Sequence, residues 1–303
     1  MNEVAHAQAV QKETKSKFRG HTVLKSKVVT YFPENLAREY MRITNAYMTL
    51  LNKTLAEYLP VVRRAIESER EGARYDADDS VLSVISQTFL KIRSEFEKKA
   101  VLFGLEKKLA NLSNLTRKLS IREWKCVVHN TLGLNIVDDY YMGEFYREML
   151  KVWTENNVNL IKTIPQETLV SMNNIVQEGY TSGKSNTVIG REIQKSYGID
   201  RGHAQFIARD QMAKLNADLT RAQQQDAGVA EYIWSSSGDQ RVRERHADLD
   251  GKRFKWSDPP IVDERTGRRG HPGEDYNCRC VALPVFNLPG LDLPWAKENK
   301  EDD

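Results

Sequence analysis

Apolar residues recur at three- and four-residue intervals through most of the chain before residue 229, and the pattern then changes. From Leu36 onward, Tyr40, Ile43, Tyr47, Leu50, Leu51, Leu55 and Tyr58 mark one face of an amphipathic helix, with Pro33 and Asn35 as its start signals. Pro60 suits the first turn of a following helix, and Glu69 to Ser80, with Gly72 among several acids, reads as a loop. A second helical block carries Val81, Val84, Ile85, Thr88, Phe89, Ile92 and Phe96. Leu105, Leu109, Leu112, Leu115 and Leu119 follow at helical spacing, as one long helix or two. A third block starts near Asp138 with Tyr141, Phe145, Met149, Val152 and Trp153. Residues 1–20 are polar, carry Lys12, Lys15, Lys17 and Arg19 and show no apolar period, so a mobile tail is expected there.

After Pro165 the pattern predicts a short helix to about Glu178, a turn-rich connection from Gly179 to Asn186, and a helix near Thr187 to Tyr197 ended by Gly198. Asp200 is a good N-cap for the next helix, through Phe206, Ile207, Met212, Leu215 and Leu219, which should stop near Gly228. Val229 to Trp234 then reads as a strand, and recurrent Gly, Pro, Asp and Ser beyond it predict short strands and loops. The expected fold is α+β, a mainly helical N-terminal domain followed by a small α+β C-terminal module with short strands. The expected boundaries are a tail over 1–20, a helical domain over 21–160, and a module over 161–286 with helices to 228 and short strands over 229–286. Residues 287–303 form a Leu-Pro-rich extended tail. Leu283-Pro284, Leu288-Pro289 and Leu293-Pro294 repeat every five residues and cannot be helical. Two readings of that segment stand: an arm offering Leu and Trp295 to a partner's groove, or a coil laid on its own domain.

Composition narrows the classes. The 303 residues are 40% hydrophobic, enough for an ordinary core and room for two domains. No apolar run approaches the roughly 20 residues that span a bilayer, and no secretory h-region follows Glu3, so an intracellular protein without membrane contact is expected. Three cysteines fit reduced thiols better than a disulfide framework. A net charge of +3 does not argue for nucleic acid. Between Lys91 and Lys125, however, ten Lys or Arg face four acids, which fits either a solvated helix face or contacts to phosphates.

Chemistry concentrates between Gly238 and Cys280. Only ten of these 43 residues are apolar, too few for an independent core, so an ionic network, a metal or packing on neighbouring elements must hold the segment. His246, His271, Cys278 and Cys280 are zinc-type donors, with Asp248, Asp250 and Asp275 as substitutes. Against that, Cys278-Arg279-Cys280 has one intervening residue where structural zinc sites usually have two to four. Nucleophilic catalysis by Cys278 or Cys280 with His246 or His271 as base is a second arrangement. The third is structural: Asp239, Arg241, Arg243, Arg245, Asp248 and Asp250 form ion pairs around buried His and Cys. Nine acids offset ten bases in the segment, which favours this third arrangement over phosphate binding. Arg241, Arg243 and Arg245 alternate, so their guanidinium groups are expected to cluster.

At these residues the sequence resembles the phage head-morphogenesis family, the minor head proteins similar to protein F of phage Mu. The resemblance rests on Trp234, the run Ser237-Gly238-Asp239-Gln240-Arg241-Val242-Arg243, His246, Leu249-Asp250-Gly251, Pro272-Gly273, Asp275, Cys278-Arg279-Cys280 and Pro284. The preceding helix is similar to the family's Ala-Arg-Thr-Glu segment, here Ala208-Arg209-Asp210-Gln211. The resemblance covers residues 160–286. Members often place His-Pro directly before Cys-Arg-Cys, whereas Gly273 to Asn277 intervene here. It implies a low-copy structural protein of a phage or prophage head, not an enzyme and without a cofactor. Its implied partners are the portal protein, capsid or scaffold proteins and packaged double-stranded DNA. Its implied place is the head interior or portal vertex of the virion, with host cytoplasm during assembly. The competing classes are a Cys/His-dependent enzyme or toxin module and a zinc-binding DNA-binding protein.

Overall fold

The computed structural model describes residues 3–30, 32–71 and 80–295. It is mainly helical, with a small antiparallel sheet near the C-terminus, the α+β class that the periodicity predicts. Its compact units do not follow one another as a boundary at residue 160 would require. One comprises Met1–Ala37, Leu112–Trp153 and Asp210–Asp303; the other comprises Arg38–Asn111 and Thr154–Arg209. Residue 160 itself lies inside a helix, α5 (Glu144–Thr181).

The second unit is helical. Helix α2 (Glu34–Arg70) buries Tyr40, Tyr47, Leu51, Leu55, Val62 and Ile66 at the predicted period. The stripe continues past Pro60, which sits inside α2 and starts no new helix. Pro165 lies likewise within α5, between buried Ile164 and Leu169. A helix-interior proline costs about 3 kcal/mol; burying several apolar side chains at roughly 1.5–3 kcal/mol each outweighs it. Helix α3 (Val81–Phe103) starts at Ser80, whose hydroxyl accepts from the Ser83 amide at 3.2 Å. It ends at Gly104, whose φ of 65° is the left-handed conformation that stops a helix at low cost, so the second apolar block is two helices. Of the expected loop, Gly72 to Asp79 lie outside the described residues. Inside the unit, the Tyr40 hydroxyl donates to Asn157 at 2.6 Å, and Tyr47 meets Phe96 edge-on at 5.4 Å.

Helix α6 (Asn186–Asp226) corrects two expectations. Gly198 does not end a helix and Asp200 does not cap one; both lie inside a single 41-residue element. Asp200 instead accepts from the Thr168 hydroxyl at 2.8 Å.

The first unit holds the sheet. Strand order is β1-β6-β2-β3, all antiparallel: β1 (Val23–Lys25) pairs β6 (Val281–Asn287), β6 pairs β2 (Glu231–Ser235), and β2 pairs β3 (Arg253–Lys255). A separate hairpin joins β4 (Ile261–Asp263) to β5 (Arg268–Arg269). Alternation along β2 buries Tyr232 and Trp234 on one face. Helix α4 (Leu105–Leu132) supplies Trp124, whose ring stacks on Phe286 at 6.0 Å while its indole N–H donates to Tyr141 at 2.8 Å.

Within the described residues neither terminal segment is a loose tail; residues 296–303 of the expected C-terminal tail lie outside them. Helix α1 (Glu3–Thr14) and the turn after it bury Val10, Thr14 and Phe18. Its His6 reaches the Leu293 carbonyl at 2.7 Å, and Gln11 donates to the Pro289 carbonyl at 3.1 Å. The Leu-Pro segment lies on its own unit but is not one extended coil: Leu283-Pro284 belongs to β6, Leu288–Gly290 forms a single 3-10 turn that the proline opens at a position where its missing amide is not needed, Leu291 and Leu293 are buried, and Trp295 bridges to Ile136. Polar composition misleads at the N-terminus because three widely spaced buried side chains suffice to anchor a short helix.

Candidate functional site

The site is assembled by two short pieces of chain. Helix α7 (Glu244–Leu249) turns His246 and Leu249 inward. Opposite it, Cys278 and Cys280 stand on either side of Arg279 just before β6; both thiols are buried, whereas Arg279 turns to Asp239. His246 Nδ1 lies 3.5 Å from Cys278 Sγ and 3.6 Å from Cys280 Sγ. These donor atoms all lie within 4.8 Å of one another, the one such buried His/Cys group among the described residues. The Cys280 amide also donates to Cys278 Sγ at 3.4 Å. Hydrogen bonding from the Cys280 thiol pulls the Cys278 thiol down to about 5, and the same contact pushes Cys280 up.

Behind the imidazole stands Asp275, 3% exposed, with Oδ2 3.2 Å from His246 Nε2, although not in aligned hydrogen-bond geometry. Arg268 reaches the other oxygen at 2.8 Å, the Tyr276 amide donates to it at 2.7 Å, and Arg243 stands 3.8 Å away. Trp234 closes the cluster, its ring centroid 5.3 Å from that of His246.

The remaining sequence candidates are distributed around this centre. His271 is not part of it. Its Nδ1 pairs with the Tyr232 hydroxyl at 2.8 Å and its ring packs on Trp256 at 4.8 Å; desolvation there lowers its pKa. Arg241, Arg243 and Arg245 do not cluster but diverge to separate acceptors. Arg241 faces Asp239 at 3.5 Å, Arg243 donates to the Tyr276 carbonyl at 2.6 Å, and Arg245 donates to the Ile261 carbonyl at 2.9 Å and meets Glu264 at 3.1 Å. They diverge because Arg243 is the cap of α7, so the three positions share neither a strand nor a helix. Asp239 takes Arg279 on both oxygens, at 2.7 and 2.6 Å, and this contact draws its pKa down. Asp250 accepts from the Ser236 amide at 2.6 Å, and the Gly251 amide donates to the Trp234 carbonyl at 2.8 Å. Pro272-Gly273 brings its turn against α6, where a Cβ on Gly273 would sit 2.6 Å from Ala217 Cβ.

Two further contributors stand on other elements, and only Asp210 lies in a segment singled out in the sequence. Arg268, in a hairpin ten residues before Cys278, holds Asp275. Asp210 in α6 is buried, pairs with Lys214 at 2.6 Å and accepts from the Asn277 amide at 2.9 Å. Asn277 has a φ of 50°, a conformation Asn tolerates better than most residues. The Ala208-Arg209-Asp210-Gln211 segment therefore anchors the cysteine turn.

A buried helix-borne imidazole, two thiols and a carboxylate backed by arginines make a closed, internally braced module. In comparison with known proteins, residues 171–283 match the family described as "Phage Mu protein F like protein". A curated protein of Haemophilus influenzae, named only "Uncharacterized protein", is 29% identical over 226 residues, 75% of this chain and 49% of that protein. The chain thus spans about half the length of the curated relative it matches. No solved structure matches.

Proposed function

We propose that the protein is a structural component of a phage or prophage head, acting in head assembly as a minor head protein with the portal as its main partner. The observation that carries this reading is the Mu F-like match, which spans α7, the cysteine turn and the start of β6 as one element set. Geometry supports an architectural role over turnover. Cys278, His246 and Asp275 stand in the order of a nucleophile, base and orienting carboxylate, yet all three are buried and the space beside the sulfurs is only about 10 Å³, which no substrate enters. The decisive experiment disrupts the gene in its phage or prophage and examines particles: heads fail to form or lack infectivity, and the protein co-purifies with the portal from wild-type assemblies. Complete, infectious virions without it overturn the reading. A Cys278→Ala variant that still supports heads, at reduced stability, removes the enzyme alternative.

The DNA partner has less support. Between Lys91 and Lys125, Arg93 and Lys98 pair with Glu97 and Glu95, Lys99 with Glu57 and Lys125 with Asp138. Four of the ten basic residues are thus matched within the chain. Among the described residues no helix is long and apolar enough to cross a membrane.

A further inference from the structure

We propose that His246, Cys278 and Cys280 bind one zinc-class metal ion that clamps α7 to the entry of β6. The donor geometry carries this. A tetrahedral ion with bonds of about 2.3 Å to sulfur and about 2.0–2.1 Å to imidazole nitrogen separates S and N by roughly 3.5–3.6 Å. The two observed S···N separations are 3.5 and 3.6 Å. Such lengths are ordinary for hydrogen bonds to sulfur, and they equally match two edges of a coordination tetrahedron, with both edges meeting at one nitrogen.

A second, independent feature is the orientation of the imidazole. His246 offers Nδ1 to both sulfurs and keeps Nε2 beside Asp275, itself held by Arg268 at 2.8 Å and the Tyr276 amide at 2.7 Å. A carboxylate behind the non-ligating nitrogen is the arrangement that fixes the tautomer of a metal-bound histidine and raises its basicity. Nε2 is otherwise without a hydrogen-bond partner in a residue 2% exposed, a cost that a ligand on Nδ1 and tightening against Asp275 would offset. The Cys280 amide directed at Cys278 Sγ stabilises a bound thiolate in the same way. Both sulfurs bind as thiolates, their protons leaving to solvent.

The short Cys-Arg-Cys spacing, unusual for zinc ligands within a turn, has a local explanation. Both thiols, two residues apart, converge on the imidazole brought from α7, while Arg279 between them is held on Asp239. The adjacent space of about 10 Å³ admits no more than one water as a fourth donor. The ion therefore serves as a cross-link in a segment whose core cluster is small: Tyr232, Trp234, Leu249, Trp256, Val262 and Ala282 beside the two cysteines. Asp275 is a positioning residue in this arrangement.

The test is titration of the full-length, chelator-treated chain with Co²⁺, read by absorption. The expected result is saturation at one ion per chain with thiolate-to-cobalt charge-transfer bands and tetrahedral d–d bands, displaced by Zn²⁺. Cys278→Ser and Cys280→Ser each abolish or shift the charge-transfer bands, whereas Cys126→Ser and His271→Gln leave them intact. Asp275→Asn weakens Co²⁺ binding about 10- to 100-fold while keeping the tetrahedral bands, a signature that general unfolding would not produce. Circular dichroism of each variant establishes that it is folded, and if the serine variants do not fold, the wild-type titration decides. Absence of saturable binding with charge-transfer bands in the folded wild-type chain, or bands unchanged in both folded serine variants, overturns the proposal.

Discussion

Gly273 shows how much a single position can decide. Its φ of 89° lies where side chains are strained, and an added Cβ would meet Ala217 Cβ at 2.6 Å, so Gly273→Ala is expected to destabilise the folded chain by roughly 1–3 kcal/mol, read as a lowered denaturant midpoint. His271 supplies the pH dependence at this scale. Burial lowers its pKa below the ordinary value near 6.5, so the folded state prefers the neutral ring. Its contribution is fully present above about pH 6.5 and is lost as pH falls through the lowered folded value, because the unfolded chain then binds the extra proton. His271→Gln should therefore flatten the decline in stability as pH falls below about 6.5, measured by denaturant unfolding at several pH values. An undiminished decline in the variant would assign the acid sensitivity elsewhere.

Among the elements, α1 carries the clearest consequence. It packs through Val10 and Thr14, its turn through Phe18, and its His6 and Gln11 hold the Leu-Pro segment by backbone carbonyls. Phe18→Ala is expected to cost about 3–5 kcal/mol, and limited proteolysis should then release both the N-terminal helix and the segment after β6. Cleavage confined to one end would contradict the mutual anchoring. The helical periods of α2, α3 and α5 were legible because their buried stripes persist for many turns. The extents of α2, α5 and α6 were not: Pro60, Pro165 and Gly198 are local stop signals that long apolar stripes override.

For the whole molecule, the basic stretch from Lys91 to Lys125 yields a prediction of restraint. With Arg93, Lys98, Lys99 and Lys125 each matched to a carboxylate of the same chain, double-stranded DNA should co-sediment weakly, with little of the steep salt dependence that many phosphate contacts produce. Tight binding at low salt that collapses as salt rises would restore DNA as a direct partner. The N-terminal strand β1 closes the same sheet as β6, so truncation from either end strikes one unit.

Residue types and their spacing were enough to show the α+β class, the helical stripes, the strand at Tyr232 and Trp234 and the Mu F-like resemblance, and to name His246, His271, Cys278 and Cys280 as candidate donors, since each is a local pattern. Folding in three dimensions separated His271 from His246, spread three alternating arginines to three acceptors, recruited Asp275, Arg268 and Asp210, and interleaved the compact units. Those outcomes depend on contacts between residues far apart in the chain, and sequence spacing encodes periodicity along an element but not which elements come to lie side by side.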